Sequence, residues 1–412
     1  MLSRRNFLKG GLALSAGGLL VPKYLLAAVD PSLLSTAAKE LPEGVLEEQV
    51  LEALPGKKPL IKKTYRAPNY ETPVNYFNEF FTPNDVFFVR YHLSNIPEVD
   101  AKTWKLTIGG DAIERPLELT LEDLKTKFEQ VELVALCQCS GNRRGLFKPH
   151  VAGVEWGYGA MGNARWKGVR LKDILEKAGL KGNALEVVLN GADTGVAAGT
   201  PDFIKSIPVW KALDENTMIA YEMNGEPLPH WNGFPARVIV PGWTATYWMK
   251  HIISIDVVSK PFDGFWMKSA YRIPLGKFPI RDRFISQETA VNTPITEIVV
   301  NSLITNVNDG QKFRLGQIVE VKGIAWDGGY GINMVEISTD GGKTWREAEL
   351  GKDYGRYSWR QFTYRFKPTK KGTYTIMAKA SNKIGQTQTF ELIWNPAGYH
   401  HNVVQKINIK VV

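Results

Sequence analysis

The sequence predicts an α+β protein of two domains: a body with mixed strand and helix patterns over residues 76–290, then an all-β sandwich over residues 291–412. Three observations lead there. The chain has 412 residues, more than one hydrophobic core usually organises. Between about residues 76 and 290, short strand-like runs alternate with helical signals. Beyond that point strand runs continue at close spacing while helical signals almost cease, which is the pattern of a sandwich. With 44% apolar and 23% charged residues, the composition supports large buried cores and carries no bias toward disorder.

Residues 1–28 read as an export signal. SRRNFLKG at 3–10 sets paired arginines ahead of the apolar stretch GGLALSAGGLLV at 10–21, the arrangement of a twin-arginine signal, with cleavage expected near Ala27 or Ala28. That route delivers folded chains to the periplasm and serves proteins whose cofactor is inserted beforehand, so the address itself points to a cofactor. The apolar stretch is too short to span a bilayer comfortably, and no later one approaches the ~20 residues of a transmembrane helix. No membrane insertion of the mature chain is therefore expected. Loss of residues 1–28 removes Arg4, Arg5, Lys9 and Lys23 and no acid, lowering the formal charge from +9 to +5. A mildly basic chain without a Lys/Arg-rich arm or zinc-finger spacing suits small anions better than nucleic acid.

Residues 29–75 are rich in Pro, Glu and Lys with weak periodicity, and read as an extended arm wrapping the body. In the body, DVFFVRYHL, WKLTIGG, VELVALCQC, ALEVVLNGAD, ARVIVPG and IISIDVV are strand-like, whereas LTLEDLKTKF and LKDILEKAG carry helical spacing. In the last third, EIVVNSLI, QIVEVKGIAW, MVEISTD, SWRQFTYRF, YTIMAKASN and KINIKVV follow as strands, and STDGGKTW at 338–345 supplies a hairpin turn.

Two cysteines, Cys137 and Cys139, exclude a disulfide framework. If LVALCQC is a strand, the expectation is that their thiols face opposite sides, one toward the core and one toward something else. The sharpest feature is QCSGNRRGLF at 138–147, where Cys139 ends a strand and a Ser-Gly-Asn turn leads to Arg143 and Arg144. Guanidinium groups beside a cysteine favour the thiolate, the form that binds a soft transition metal. Taken alone, such a segment is more often an inert buried thiol near a surface basic pair. FFVRYH at 87–92 sets Arg90 and His92 on one face of a strand, AYEMNGEPLP at 220–229 offers the phenol of Tyr221, and GFPARVIVPGWTATYWMK at 233–250 places Arg237 and Lys250 around a buried strand. No Ser-His-Asp order, HExxH, Walker loop or strand-borne Gly-x-Gly-x-x-Gly is present, so hydrolase, kinase and nicotinamide readings lose ground. Six scattered histidines and two cysteines make no zinc set.

In order and spacing these segments resemble the sulfite oxidase family, from FFVRYH through CSGNRR, GVEWGYGAMGNARWKGVRL, AYEMNGEPLP, GFPARVIVPG and DGGKTW to WNPAGY at 394–399. A series of long matches in order is far more specific than any one motif. The resemblance implies a molybdopterin-binding domain followed by an immunoglobulin-like sandwich of the dimerising type, and one molybdenum–molybdopterin cofactor per chain with Cys139 as metal ligand. It implies a substrate pocket of Arg90, Arg144 and Tyr221, with Trp156 as a wall and Arg360 as a further cation from the second domain. The pterin and its phosphate fall to Arg237, Lys250, Asp193 and the loop of Val89, Arg90, Tyr91 and His92, together with Asn232, Trp248 and Met249. The implied reaction is oxidation of sulfite to sulfate by oxygen-atom transfer; guanidinium forks suit such an oxyanion, and the cofactor supplies the redox chemistry.

The chain departs from the animal pattern. It has no fused haem domain and no Cys-x-x-Cys-His, so electrons are expected to leave to an external c-type cytochrome, either a separate protein or a tightly bound subunit. Asn232 stands where the animal enzymes have a phosphate-contacting histidine, and the loop between Arg144 and Trp156 is shorter. These differences resemble bacterial sulfite dehydrogenases. Three rivals remain at this level: a sulfane dehydrogenase acting on protein-bound sulfur, a periplasmic molybdenum sulfoxide reductase, which is expected to lack the sandwich, and a cofactor-free binding protein. Self-association through the sandwich is the default, with a cytochrome complex as the alternative.

Overall fold

The computed structural model describes residues 50–412 except residue 279; the signal segment and the first part of the arm lie outside the described residues. The body is built on two sheets. One runs Ile204–Pro208, Glu186–Gly191, Ile252–Val258, Lys105–Gly109, Leu117–Thr120. The other runs Glu226–Pro227, Met218–Met223, Met161–Arg170, Gln130–Gln138, with Arg237–Ile239 added against Met218–Met223.

Both helical patterns form helices, but short ones. Leu121–Thr126 opens with a capping box in which the Thr120 hydroxyl accepts from the Asp123 amide and the Asp123 carboxylate accepts from the Thr120 amide. Leu171–Ala178 buries Leu171, Ile174, Leu175 and Ala178, a helical stripe, and ends at Gly179, whose φ of +76° costs little only without a Cβ. The chain is therefore mostly β, and the α+β expectation overstated its helix. Its body pairs strands largely antiparallel, and antiparallel neighbours need only short connections rather than long crossover helices.

The described part of the arm is more than a strap. Leu51–Glu52, Leu60–Thr64 and Asn69–Glu71 form an antiparallel sheet with Val89–Arg90, over a small core of Leu60, Tyr70, Val86, Val89 and Tyr91. This sheet fixes the strand that carries Arg90.

The C-terminal domain is a two-layer sandwich. Asn301–Ile304, Val319–Trp326, Arg360–Phe366 and Glu349–Leu350 make one sheet; Lys312–Phe313, Lys406–Val411, Gly372–Asn382, Ile332–Ser338 and Arg346–Glu347 make the other. Ile304, Val321 and Phe362 from the first layer meet Val335, Ile376 and Ile407 from the second, each such side chain stabilising the fold by roughly 1.5–3 kcal/mol on burial. The hairpin at 338–345 forms, with Asp340 accepting from the Lys343 and Thr344 amides. The domains share a further cluster in which Phe77, Leu136, Tyr158 and Met161 pack with Leu303, Ile324, Trp326 and Trp359. Among the described residues no helix is long and apolar enough to cross a membrane.

Candidate active site and cofactor cavity

A partly open cavity lies in the body beside the end of strand Gln130–Gln138. The pairing of Gln138 with Met161 ends that strand; the Cys139 amide then donates to Ala160 O at 2.9 Å, and the Asn142 side chain accepts from the Ala160 amide at 3.1 Å. These bonds hold Cys139 at the cavity wall. Cys137 lines the same cavity, which corrects the expectation of opposite faces: residues two apart on a strand share one. Burial pushes the Cys137 thiol up to about 11, so it remains a protonated thiol, with the terminal nitrogen of Arg237 3.9 Å from its sulfur.

The two arginines after the turn part company. Arg143 adopts a left-handed backbone (φ +68°) that reverses the chain. Its guanidinium enters the domain interface, donating to Asn301 Oδ1 at 2.6 Å and Ser302 O at 2.8 Å against the rings of Tyr158 and Trp326. Arg144 turns the other way, donating to Ala397 O at 3.1 Å and Val154 O at 3.3 Å, with its guanidinium 5.2 Å from the centre of the Tyr399 ring. Space for it is made by glycines: a Cβ on Gly141 would lie 2.6 Å from the guanidinium, and one on Gly153 2.9 Å.

Arg90 and His92 both line the cavity, as the alternation predicts. Arg90 donates to Asn69 Oδ1 at 3.1 Å, to Tyr91 O and to the Tyr271 hydroxyl at 3.4 Å. Burial opposes its charge, but the neighbouring Tyr271 and Cys139 hold it protonated and raise its pKa. His92 stacks flat on Phe203 (3.7 Å, 10°) and its Nε2 hydrogen-bonds the Tyr271 hydroxyl. Burial first, then Arg90 and Lys250, drive its pKa well below the usual histidine range, so the ring is neutral. Tyr271 has a left-handed backbone, φ +58°, a strained geometry that tends to gather at functional sites.

Toward the other end the cavity is bounded by Arg237, Asn232, Asp193, Trp248, Met249 and Lys250. Arg237 donates to Asn232 O at 2.9 Å and Trp248 O at 3.1 Å, but its buried Nε has no partner; neither has the buried Thr246 hydroxyl on the same wall. Lys250 donates to Arg90 O at 2.6 Å and lies over the Tyr91 ring. Burial lowers it to about 7, opposed by the Asp193 carboxylate. Lys57, from the arm, reaches in behind: its Nζ donates to Asn84 O (2.6 Å), Phe87 O (3.1 Å) and Asn232 Oδ1 (2.6 Å). Val89 and Tyr91 back this wall, the Tyr91 hydroxyl bonding His251 Nε2 at 2.7 Å. Unpaired buried donors among several cations and one lining carboxylate fit an anionic, hydrogen-bonding cofactor, with a cysteine sulfur at one end for its metal.

Three residues expected in the substrate pocket are elsewhere. Tyr221 is buried under Lys125, its carbonyl accepting from the Leu228 amide, outside the cavity lining. The phenol at the pocket is Tyr271, which no motif singled out. Arg360 is engaged by Asp353 at 3.0 Å and Gly351 O at 2.6 Å on the sandwich, and does not line the cavity. Trp156 is a fully buried core residue behind the Cys139 turn, its carbonyl accepting from the Gly145 amide, and it backs the site rather than walling it. Lys57 and Tyr399, outside the lining themselves, contact its residues Asn232 and Tyr271 unforeseen, because arm and C-terminal turn reach them only through the fold.

Comparisons with known proteins agree on the class. Residues 92–266 match the oxidoreductase molybdopterin binding domain, residues 292–412 the Mo-co oxidoreductase dimerisation domain, and residues 1–21 the twin-arginine translocation signal. The chain is similar to mitochondrial sulfite oxidase of Rattus norvegicus, 33% identical over 97% of this chain and 77% of that one. Sulfite oxidase of Arabidopsis thaliana is 32% identical over 84% of this chain and 92% of that one. In fold it resembles the sulfane dehydrogenase SoxCD of Paracoccus pantotrophus, with a TM-score of 0.72 at 23% identity, covering 96% of this chain and 94% of that one.

Proposed function

The chain belongs to the sulfite oxidase family of molybdopterin oxidoreductases, and from that premise we propose that it oxidises sulfite to sulfate and passes the electrons, one at a time, to an external c-type cytochrome. The observation that supports this best is uncompensated buried positive charge. Arg90, Arg237 and Lys250 line the cavity and Arg144 flanks it, against the single lining carboxylate of Asp193. Such a site gains most from two anions, a cofactor and an oxyanion substrate.

The residues divide accordingly. Arg237, Asn232, Thr246 and Lys250 would hold a pterin and its phosphate, and Cys139 would bind the metal. When bound, the molybdenum supplies oxygen-atom transfer and stores the two electrons released. Arg90 and Arg144 would offer their remaining guanidinium donors to the substrate's oxygens. Tyr271 completes the pocket, its hydroxyl fixed by the neutral His92 and by Arg90. The ring of Phe203 stacks on His92 at the cavity wall, and the buried setting strengthens these electrostatic contacts.

The export signal places the enzyme in the periplasm. In this reading the haem belongs to the acceptor, and the sandwich pairs the chain with a second copy. The test is sulfite-dependent reduction of ferricyanide or cytochrome c by the mature, molybdenum-loaded protein. Rapid reduction is expected. No reduction at full molybdenum content would transfer the function to sulfane oxidation or sulfoxide reduction.

A further inference from the structure

No residue of the C-terminal domain is in the cavity lining, but its turn at 394–400 packs on Arg144 beside the cavity and on the lining residue Tyr271. Asn395, fully buried, clamps it: Nδ2 donates to Tyr399 O at 2.8 Å, and Oδ1 accepts from the Tyr399 amide at 3.1 Å. At Gly398 the backbone is left-handed (φ +64°), and a Cβ would lie 2.7 Å from Arg144 Cγ. The bare backbone thus lies directly on the Arg144 stem, while Ala397 O takes a hydrogen bond from its Nε.

This placement sets Tyr399 face to face with Tyr271, ring centres 5.8 Å apart and 10° from parallel. Tyr399 is 7% exposed. The Tyr271 hydroxyl meets His92 and Arg90, whereas the Tyr399 hydroxyl has no hydrogen-bond partner among the described residues. That oxygen keeps some exposure, so it is open to a bound group. The groups that act on this hydroxyl electrostatically are Tyr271, Arg144, Cys139 and Arg90, the pocket itself. Burial raises its pKa above that of an ordinary tyrosine, so it stays protonated and able to donate.

We propose that Tyr399 is a substrate-binding residue supplied by the C-terminal domain, donating its hydroxyl to one oxygen of a small free oxyanion while its ring shuts the pocket to bulkier sulfur compounds. The inference deepens the sulfite reading and rests on it for the identity of the oxyanion. It also makes the sandwich part of the substrate site.

The test uses the molybdenum-loaded enzyme as wild type, Tyr399→Phe and Tyr399→Ala, with metal content as a control. Tyr399→Phe keeps the stacked ring and loses the donor; a hydrogen bond to a charged group is lost, so the sulfite KM and the inhibition constant of sulfate should each rise about tenfold, more than kcat falls. Tyr399→Ala should in addition admit benzenesulfonate as an inhibitor, whereas the wild type should be inhibited by sulfate and methanesulfonate but not by this bulky relative. Sulfite KM and sulfate inhibition within twofold of wild type in Tyr399→Phe would overturn the donor role. Benzenesulfonate excluded equally from wild type and Tyr399→Ala would overturn the gating role. If the wild type does not oxidise sulfite, the sulfite reading fails, while direct titration of sulfate onto the same three proteins still decides whether Tyr399 binds an oxyanion.

Discussion

Substituting Gly141 by alanine should damage catalysis without damaging the fold. An added Cβ would sit 2.6 Å from the Arg144 guanidinium, where ordinary contact needs about 3.5–4 Å, so the guanidinium must retreat by about 1 Å. It has little room to do so, because Gly153 and Gly398 pack against the same side chain and the Tyr399 ring covers its face. The clash falls on the end of a side chain rather than on backbone, which keeps the stability cost near the lower end of the ~1–3 kcal/mol range for overpacking. Displacement of a positioning group by about 1 Å can cost ~100-fold in rate. The expected result is kcat/KM for sulfite reduced by up to ~100-fold, unchanged molybdenum content and a small fall in Tm. In an Arg144→Met background the Gly141→Ala change should add almost nothing. Activity within twofold of wild type in Gly141→Ala would refute the assignment of Arg144 to the oxyanion.

Cys139→Ser should fold and abolish turnover, whereas Cys137→Ser, although its side chain shares the cavity wall, should keep substantial activity; equal losses in molybdenum-normalised assays would sink this division of roles. Tyr271→Phe should lower kcat/KM by at least tenfold, in the range typical of a lost polar group at the reacting centre, and Tyr221→Phe should leave it within about twofold; steady-state kinetics on the pair decide which phenol belongs to the pocket. Lys57 titrates near 7 in the fold because burial lowers it from 10.5, with Asp85 opposing. The unfolded chain holds that proton up to about pH 10.5, so its contribution makes stability rise as pH increases from 7 toward 10. Urea midpoints of the cofactor-free protein at pH 7 and 9.5 should show this rise, and Lys57→Met should flatten it; an unchanged slope would contradict the burial of that charge.

What was legible in the sequence follows from how local each requirement is. A strand needs alternation over a few residues, so the runs around 130–138, 252–258 and 319–326 announced themselves, as did the Cys139 turn with Arg144 five residues on. Read locally, Arg237 and Lys250 were only basic residues flanking a buried strand, and the resemblance to the sulfite oxidase family is what assigned them to the cofactor. Helix was overestimated because apolar spacing in LTLEDLKTKF continues past Thr126, where the observed helix stops. The identity of the pocket phenol was not local. Tyr221 sits next to a recognisable turn, but Tyr271 is brought in by a strained backbone between Phe265–Lys268 and Arg272–Pro274, and nothing in AYRIP announces a positive φ. The same holds for Arg360 and Tyr399: a cation on a strand of the sandwich is easily noticed, whereas the contribution of WNPAGY depends on the docking of two domains through Arg143, Asn301 and Trp326.

Charge links the cavity to the order of events in the cell. Arg90, Arg237 and Lys250 line one space with Asp193 as its lining carboxylate, and Lys205, beside the Tyr271 ring, is a further basic group that burial drives well below the ordinary lysine range. Like charges at close range in a low dielectric repel, and desolvation adds to the cost. Burial first, then Arg237 and Arg90, lowers Lys250 to about 7 against the pull of Asp193, while burial, opposed by Asp85, does the same to Lys57. An anionic cofactor bound there offsets the repulsion and the burial penalty by stabilising the charged forms of these side chains, so its binding and the folded cavity stabilise each other. A chain of this kind is best completed where the cofactor is made and moved afterwards in its folded form. The twin-arginine signal at its start and the cluster of cations at its centre are two consequences of the same requirement.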